Sequence, residues 1–284
     1  MSAQLTAKRA LVAAALIVPF LLSVFVVPLR PLFPLLVAIF GALCLYELGR
    51  LIALRTRRFP FVLCYMFVFG LVADGYFRGL ADGLYILTAF VVVALSWRVL
   101  VSDSGEISPQ IGAAFLATAY IGLPMAMAAA LWQAGGSESP WLGPCHLVFQ
   151  LGVLFGGDTA AYFIGRNWGR RPFFPRISPK KTLEGAVASL AVSVVIAAAF
   201  TLLIGPLRDA YGLRHGLILG LLLGVATPLG DLAESTFKRD VGRKDSGNGL
   251  HGHGGFLDVF DSLLFGIPLQ FCYVQLVLAN PCTG

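Results

Sequence analysis

Residues 183–206 read LEGAVASLAVSVVIAAAFTLLIGP. After Glu184 the run carries no charge. A helix crossing roughly 30 Å of hydrocarbon needs about 20 mostly apolar residues, and this run supplies them. Walking outward with the same ruler gives nine candidate spans, at about 10–29, 31–48, 60–73, 83–101, 110–132, 144–164, 183–206, 213–230 and 256–279. The 60–73 stretch is short, as a tilted or half-buried helix would be. The expected fold class is therefore all-α: a polytopic integral membrane protein with about nine transmembrane helices.

Composition agrees. Of the 284 residues, 57% are hydrophobic and 13% charged, with a mean hydropathy of +0.81. Soluble domains average about 45–50% apolar and roughly 25% charged residues. A soluble monomer is excluded because the chain could not cover its own surface with polar groups. Disorder is excluded because it requires low hydrophobicity. The first span follows Lys8 and Arg9. It reads as retained rather than cleaved, since no A-x-A-like site precedes the next apolar run and Pro28 and Pro31 mark a tight hairpin.

The net charge of +6 raises the question of nucleic acid, but topology competes as its cause. Cytoplasmic loops of membrane proteins are enriched in Lys and Arg. With the N-terminus inside, 17 of the 21 basic residues fall on the cytoplasmic side, and only Arg30, Arg78, Arg208 and Arg214 fall outside. This split supports an N-in, C-out arrangement in an inner or plasma membrane and requires no nucleic acid. The five cysteines show no C-x-x-C spacing and read as buried apolar thiols. The chain divides coarsely into helices 1–4 (1–109), middle helices with a basic loop (110–182) and a C-terminal part (183–284), all in one membrane unit.

Two loops on the expected cytoplasmic side stand out. Residues 157–185 (GDTAAYFIGRNWGRRPFFPRISPKKTLEG) and 230–263 (GDLAESTFKRDVGRKDSGNGLHGHGGFLDVFDSL) together hold eight of the fifteen acids. Asp231, Glu234, Ser235 and Lys238 stand at i, i+3, i+4 and i+7, on one helical face. The eighth span is thus expected to continue past the membrane boundary as a helix. Asp258 and Asp261 stand at i, i+3 at the start of the ninth. Carboxylates near a membrane are costly unless paired or metal-bound. Two such pairs flanking a Gly-rich loop suit a hard cation such as Mg²⁺ with substrate phosphates; a headgroup-level network of Lys–Asp ion pairs is the alternative.

In the first loop, Ser178 reads as an N-cap and Pro179 as the first helical residue. That places Lys180 and Lys181 in the first turn of the seventh span, against the helix dipole. A phosphate at the helix N-terminus would relieve that conflict; simple positive-inside anchoring is the other explanation. Two weaker patterns carry little. Gly247-Asn-Gly249-Leu-His-Gly252 matches G-x-G-x-x-G, but no strand precedes it. His251 and His253 lack the third nitrogen or sulfur ligand that zinc needs.

The second loop resembles the signature of the CDP-diacylglycerol synthases (phosphatidate cytidylyltransferases). That signature runs S-x-x-K-R, then K-D, then a Gly-rich stretch into H-G-G-x-x-D-[RK]-x-D. Ser235, Lys238, Arg239, Lys244, Asp245, His253, Gly254, Gly255, Asp258 and Asp261 are in register with it. Asp158, Thr159, Ala161, Tyr162 and the run Ile177 to Gly185 resemble two further elements of the family. The resemblance implies transfer of CMP from CTP to phosphatidate on a metal centre of Mg²⁺, with Mn²⁺ as a substitute and K⁺ as a candidate second cation. It implies catalytic roles for Asp231, Ser235, Lys238, Asp258 and Asp261, with Asp231 and Asp258 on the metal. Lys180, Lys181, Arg239, Lys244, Asp245 and His253 would bind substrate. The implied partners are CTP, phosphatidate and the bilayer, and a homodimer is compatible with them. Val259 stands where the family usually has Arg or Lys, and His251 where it usually has Pro, Gly or Ser. A paralogue acting on another lipid phosphate, and a CTP-dependent kinase of the polyprenol type, are the alternative activities.

Overall fold

The computed structural model describes residues 18–20, 22–56, 59–101, 107–243 and 255–278. These form α1 (Leu32–Ala53), α2 (Phe61–Arg78), α3 (Gly83–Val101), α4 (Ile107–Trp132), α5 (Leu142–Trp168), α6 (Leu183–Leu203), α7 (Gly205–Asp240) and α8 (Phe256–Tyr273), the last extended by a π-helical turn, Val274–Leu278. No strand occurs among the described residues. Eight of these segments are each long and apolar enough to cross a membrane. They coincide with the eight expected spans from 31–48 onward, and the short 60–73 stretch lengthens to an 18-residue helix. The residues before 18, with Lys8 and Arg9, lie outside the described residues.

Packing divides the chain into two compact units. One comprises Met1–Ala130 with Phe237–Phe260, and the other Leu131–Thr236 with Asp261–Gly284. In unit one, α3 is the helix that buries least of itself against the protein. Only Gly83, Phe90, Ala94 and Arg98 are buried, a narrow stripe at helical spacing. Leu84, Val99 and Leu100 on the remaining face are at least 75% exposed. A helix that is apolar on all sides yet buries one stripe is what a bilayer solvent selects.

In unit two, hydroxyls and amides bridge helices. Ser193 Oγ donates to Val153 O at 3.2 Å and Ser262 Oγ to Thr227 O at 3.1 Å. Gln270 Nε2 donates to Tyr211 Oη at 2.9 Å and to His146 O at 3.2 Å. Such side chains link helices where apolar burial gives no drive of its own. Helix α7 begins before the expected 213–230 span and bends at Gly212, whose φ of 59° with ψ of 167° is accessible at little cost only to glycine.

The segment between α5 and α6 corrects one expectation. Helix α5 continues to Trp168, so residues 157–168 are helical rather than loop. Helix α6 starts at Leu183, with Thr182 as its N-cap accepting from Gly185 N at 3.2 Å. Ser178 and Pro179 instead open a turn closed by Lys181 N to Ser178 O at 3.2 Å. Lys180 and Lys181 therefore precede the helix. The cause is a short antiparallel pairing. Phe173 N donates to Lys181 O at 2.7 Å and Leu183 N to Arg171 O at 2.9 Å, which holds 181–182 extended and leaves the capping position to Thr182.

Candidate active site

The polar stripe expected on the eighth span is present, and it brings acids together in unit two. Asp231 and Glu234 on α7 and Asp261 on α8 each offer a carboxylate oxygen, all within 4.8 Å of one another. Glu234 is 1% and Asp261 8% exposed. Gly230 makes this approach possible. A Cβ there would stand 2.5 Å from Asp261 O and 2.7 Å from Ser262 Cα, so only a residue without a side chain lets the two backbones come this close. Ser235 Oγ donates to Asp231 Oδ1 at 3.4 Å, and Asp261 Oδ1 accepts from Ser262 N.

Three carboxylates this close repel one another, and little water shields two of them. Part of that repulsion is offset by Lys181, whose Nζ lies 2.6 Å from Asp231 Oδ2 and 3.4 Å from Pro228 O. An all-oxygen, anionic donor set fits a hard cation such as Mg²⁺. Asp231 and Lys181 also line a cavity of about 580 Å³, together with Asp158, Arg166, Lys180 and Tyr162. Its wall therefore carries basic groups beside acids, the mixture a polyphosphate with a bound cation needs.

The basic loop on that wall is held in place from α6. The Glu184 carboxylate accepts from Arg170 N at 3.0 Å and from Arg171 N at 3.3 Å. Thr182 and Glu184 thus set the position of Lys180 and Lys181, a structural role that the S-P-K-K pattern does not announce.

Unit one holds the rest of the described signature. Lys238 Nζ donates to Asp258 Oδ1 at 2.6 Å, and Gly255 N donates to Asp258 Oδ2 at 2.6 Å. Asp258 is the third residue of α8, so its bond back to Gly255 N is half of a capping box. Glu47 on α1, 6% exposed, accepts from Leu257 N at 2.9 Å. Arg239 Nη1 donates to Arg243 O at 3.2 Å, closing the end of α7.

Of the site residues expected from sequence, unit two gathers Asp231, Ser235, Asp261 and Lys181, with Lys180 on the cavity wall. Unit one pairs Lys238 with Asp258 and places Arg239 beside the α7 terminus. Lys244, Asp245, His251 and His253 lie outside the described residues. In unit two the structure adds Glu234, expected only as Asp231's pair mate, to the acid cluster and Asp158 to the cavity wall, and in unit one it adds Glu47. Each had a signal in sequence, since a carboxylate inside or at the end of a span is a functional hypothesis by default.

Comparison with known proteins points the same way. The cytidylyltransferase family profile matches residues 7–277. A phosphatidate cytidylyltransferase of Bacillus subtilis (strain 168) is 34% identical over 274 residues, covering 94% of this chain and 95% of that protein. A phosphatidate cytidylyltransferase of Staphylococcus saprophyticus is 42% identical over 124 residues, 44% of this chain and 46% of the relative. The uncharacterized protein YnbB of Escherichia coli (strain K12) is 36% identical over 190 residues, 66% of this chain and 61% of its own length. The chain belongs to the cytidylyltransferase family.

Proposed function

We propose that this member of the cytidylyltransferase family transfers CMP from CTP to phosphatidate, giving CDP-diacylglycerol and pyrophosphate, as the names of its Bacillus and Staphylococcus relatives suggest. The observation that carries the proposal is the unit-two cavity, where Lys180, Lys181 and Arg166 share a wall with Asp158 and Asp231. An ionised phosphate oxygen of phosphatidate attacks the α-phosphorus of CTP. A new P–O bond forms, the bridging α–β bond breaks, and pyrophosphate leaves with its electrons. The nucleophile is already deprotonated near neutral pH, so no general base is required. Catalysis then consists of positioning and charge neutralisation.

Asp231, Glu234 and Asp261 would hold Mg²⁺ or Mn²⁺, and the family signature gives the same task to Asp258, already oriented by Lys238 and Gly255 N. A bound ion would neutralise charge on the transferring and leaving phosphates. Lys180 and Lys181 bind phosphate oxygens at the cavity, Lys238 and Arg239 supply further cationic groups, and Ser235 orients Asp231. The excess of Lys and Arg on one set of loops supports a cytoplasmic site, where CTP is found. CTP labelled at the α- or at the γ-phosphate, incubated with the purified protein and phosphatidate, tests the reaction type. Label from the α-position is expected in the lipid. Label arriving only from the γ-position would establish a kinase and reject the proposal.

A further inference from the structure

The ammonium of Lys181 occupies a place that a bound cation would contest. We propose that Lys181 is an exchangeable counter-ion: it neutralises Asp231 in the free protein and passes to the nucleotide triphosphate when a divalent cation binds, so that cation and nucleotide bind cooperatively. The inference rests on the metal and CTP roles proposed above for the same cavity.

Four observations support the exchange. Nζ lies 2.6 Å from Oδ2 of Asp231, one of the three clustered carboxylates. A cation ligated by Asp231 would stand within a few ångströms of that ammonium, and like charges at such range repel, the more so beside the buried Glu234 and Asp261. The Lys181 backbone is clamped on both sides, by Phe173 N to Lys181 O at 2.7 Å and by Lys181 N to Ser178 O at 3.2 Å. Movement is thereby confined to the side chain, a flexible four-carbon stem with a single compact charge. Its second acceptor, Pro228 O, is 3.4 Å away, a weak bond that offers little resistance. The side chain is 22% exposed and borders the cavity, so an incoming polyphosphate is within its reach.

Without nucleotide, cation binding must break the Lys181–Asp231 pair and leave the ammonium with no anion in exchange. With nucleotide present, a phosphate oxygen replaces the carboxylate. The nucleotide therefore tightens cation binding, and by linkage the cation tightens nucleotide binding by the same factor. Lys180 is exposed on the same cavity wall and serves as the comparison, since its removal weakens phosphate binding without freeing Asp231.

The test is Mn²⁺ binding to the full chain in detergent, read by electron paramagnetic resonance with and without α,β-methylene-CTP. The analogue is expected to raise the Mn²⁺ affinity of the wild type about tenfold, within the usual range of such couplings. Lys181→Met and Lys181→Gln are expected to bind Mn²⁺ about tenfold tighter than wild type without nucleotide, and to gain little on its addition. Lys180→Met should keep the wild-type affinity for Mn²⁺ in the nucleotide-free protein. If both Lys181 variants bind Mn²⁺ no tighter than wild type without nucleotide, the inference is overturned while the metal assignment stands. If the wild type binds no Mn²⁺ in either state, the inference falls together with the metal assignment.

Discussion

Glu47 Oε2 accepts the backbone N–H of Leu257 at 2.9 Å, so a carboxylate buried in α1 satisfies the second residue of α8. Gly255 N is met in turn by Asp258 Oδ2. Between them the two acids take up N–H groups that a helix start leaves without intrahelical partners. The same bonds fix the direction in which Asp258 presents its other oxygen to Lys238.

Replacing Glu47 should therefore act on stability first. Glu47→Leu leaves a buried N–H without its acceptor, at a cost of about 1–3 kcal/mol. Glu47→Gln keeps a carbonyl oxygen there and should cost less. Thermal unfolding in detergent is expected to rank them wild type, Gln, Leu, with CMP transfer falling in the same order. A Leu variant as stable as the wild type would show that the bond contributes nothing.

Gly230 is the position least able to accept a side chain among those that shape the acid cluster. Its virtual Cβ meets main-chain atoms of Asp261 and Ser262, which cannot rotate away. Gly230→Ala should cost about 1–3 kcal/mol from overpacking, and Gly230→Val more. Because α7 and α8 carry the clustered acids, Mn²⁺ affinity should fall along with melting temperature. Unchanged Mn²⁺ binding in Gly230→Val would separate the close approach from the metal role.

Asp258→Asn retains an oxygen for Gly255 N but removes the charge opposite Lys238. CMP transfer is expected to drop by at least about 100-fold, the scale of losing one electrostatic contact to the reacting phosphates, a larger loss than the lowered melting temperature from the broken Lys238 pair accounts for at assay temperature. Turnover near the wild-type level would take Asp258 out of the catalytic set.

Val259, 38% exposed, sits between Asp258 and Asp261, where the signature that this loop resembles has Arg or Lys. Val259→Arg should raise the rate on phosphatidate, by up to about tenfold for one added charge-assisted contact worth roughly 1.4 kcal/mol. An unaltered rate would mark the departure as silent.

The membrane helices were legible because a run of apolar residues long enough to cross a bilayer has few other uses, as 183–206 shows. The stripe of Asp231, Glu234 and Ser235 was legible because helical periodicity is a local property. The N-cap of α6 is Thr182 rather than the Ser178 that the local Ser-Pro pattern indicates, because the choice depends on pairing with residues 171–173, which no local rule contains. Glu47 is missing from the sequence-derived set for a similar reason: it is a single acid in an apolar run, and its partner Leu257 lies on another helix. Asp158 falls in a family-like element without a role of its own there, and its cavity neighbours Lys181 and Asp231 come from distant parts of the chain. Glu234 is legible as half of a cation-binding pair with Asp231, but its grouping with Asp261 depends on the close approach at Gly230.

Pyrophosphate release by the purified protein, measured with CTP against a panel of phosphatidate, polyprenyl phosphate and no lipid, bears on both the acceptor and the site. Release is expected with phosphatidate, in equal amount to CDP-diacylglycerol formed, and to vanish in Asp261→Asn. Release with polyprenyl phosphate but not phosphatidate, or full release by Asp261→Asn, would contradict the proposed acceptor or the proposed site respectively.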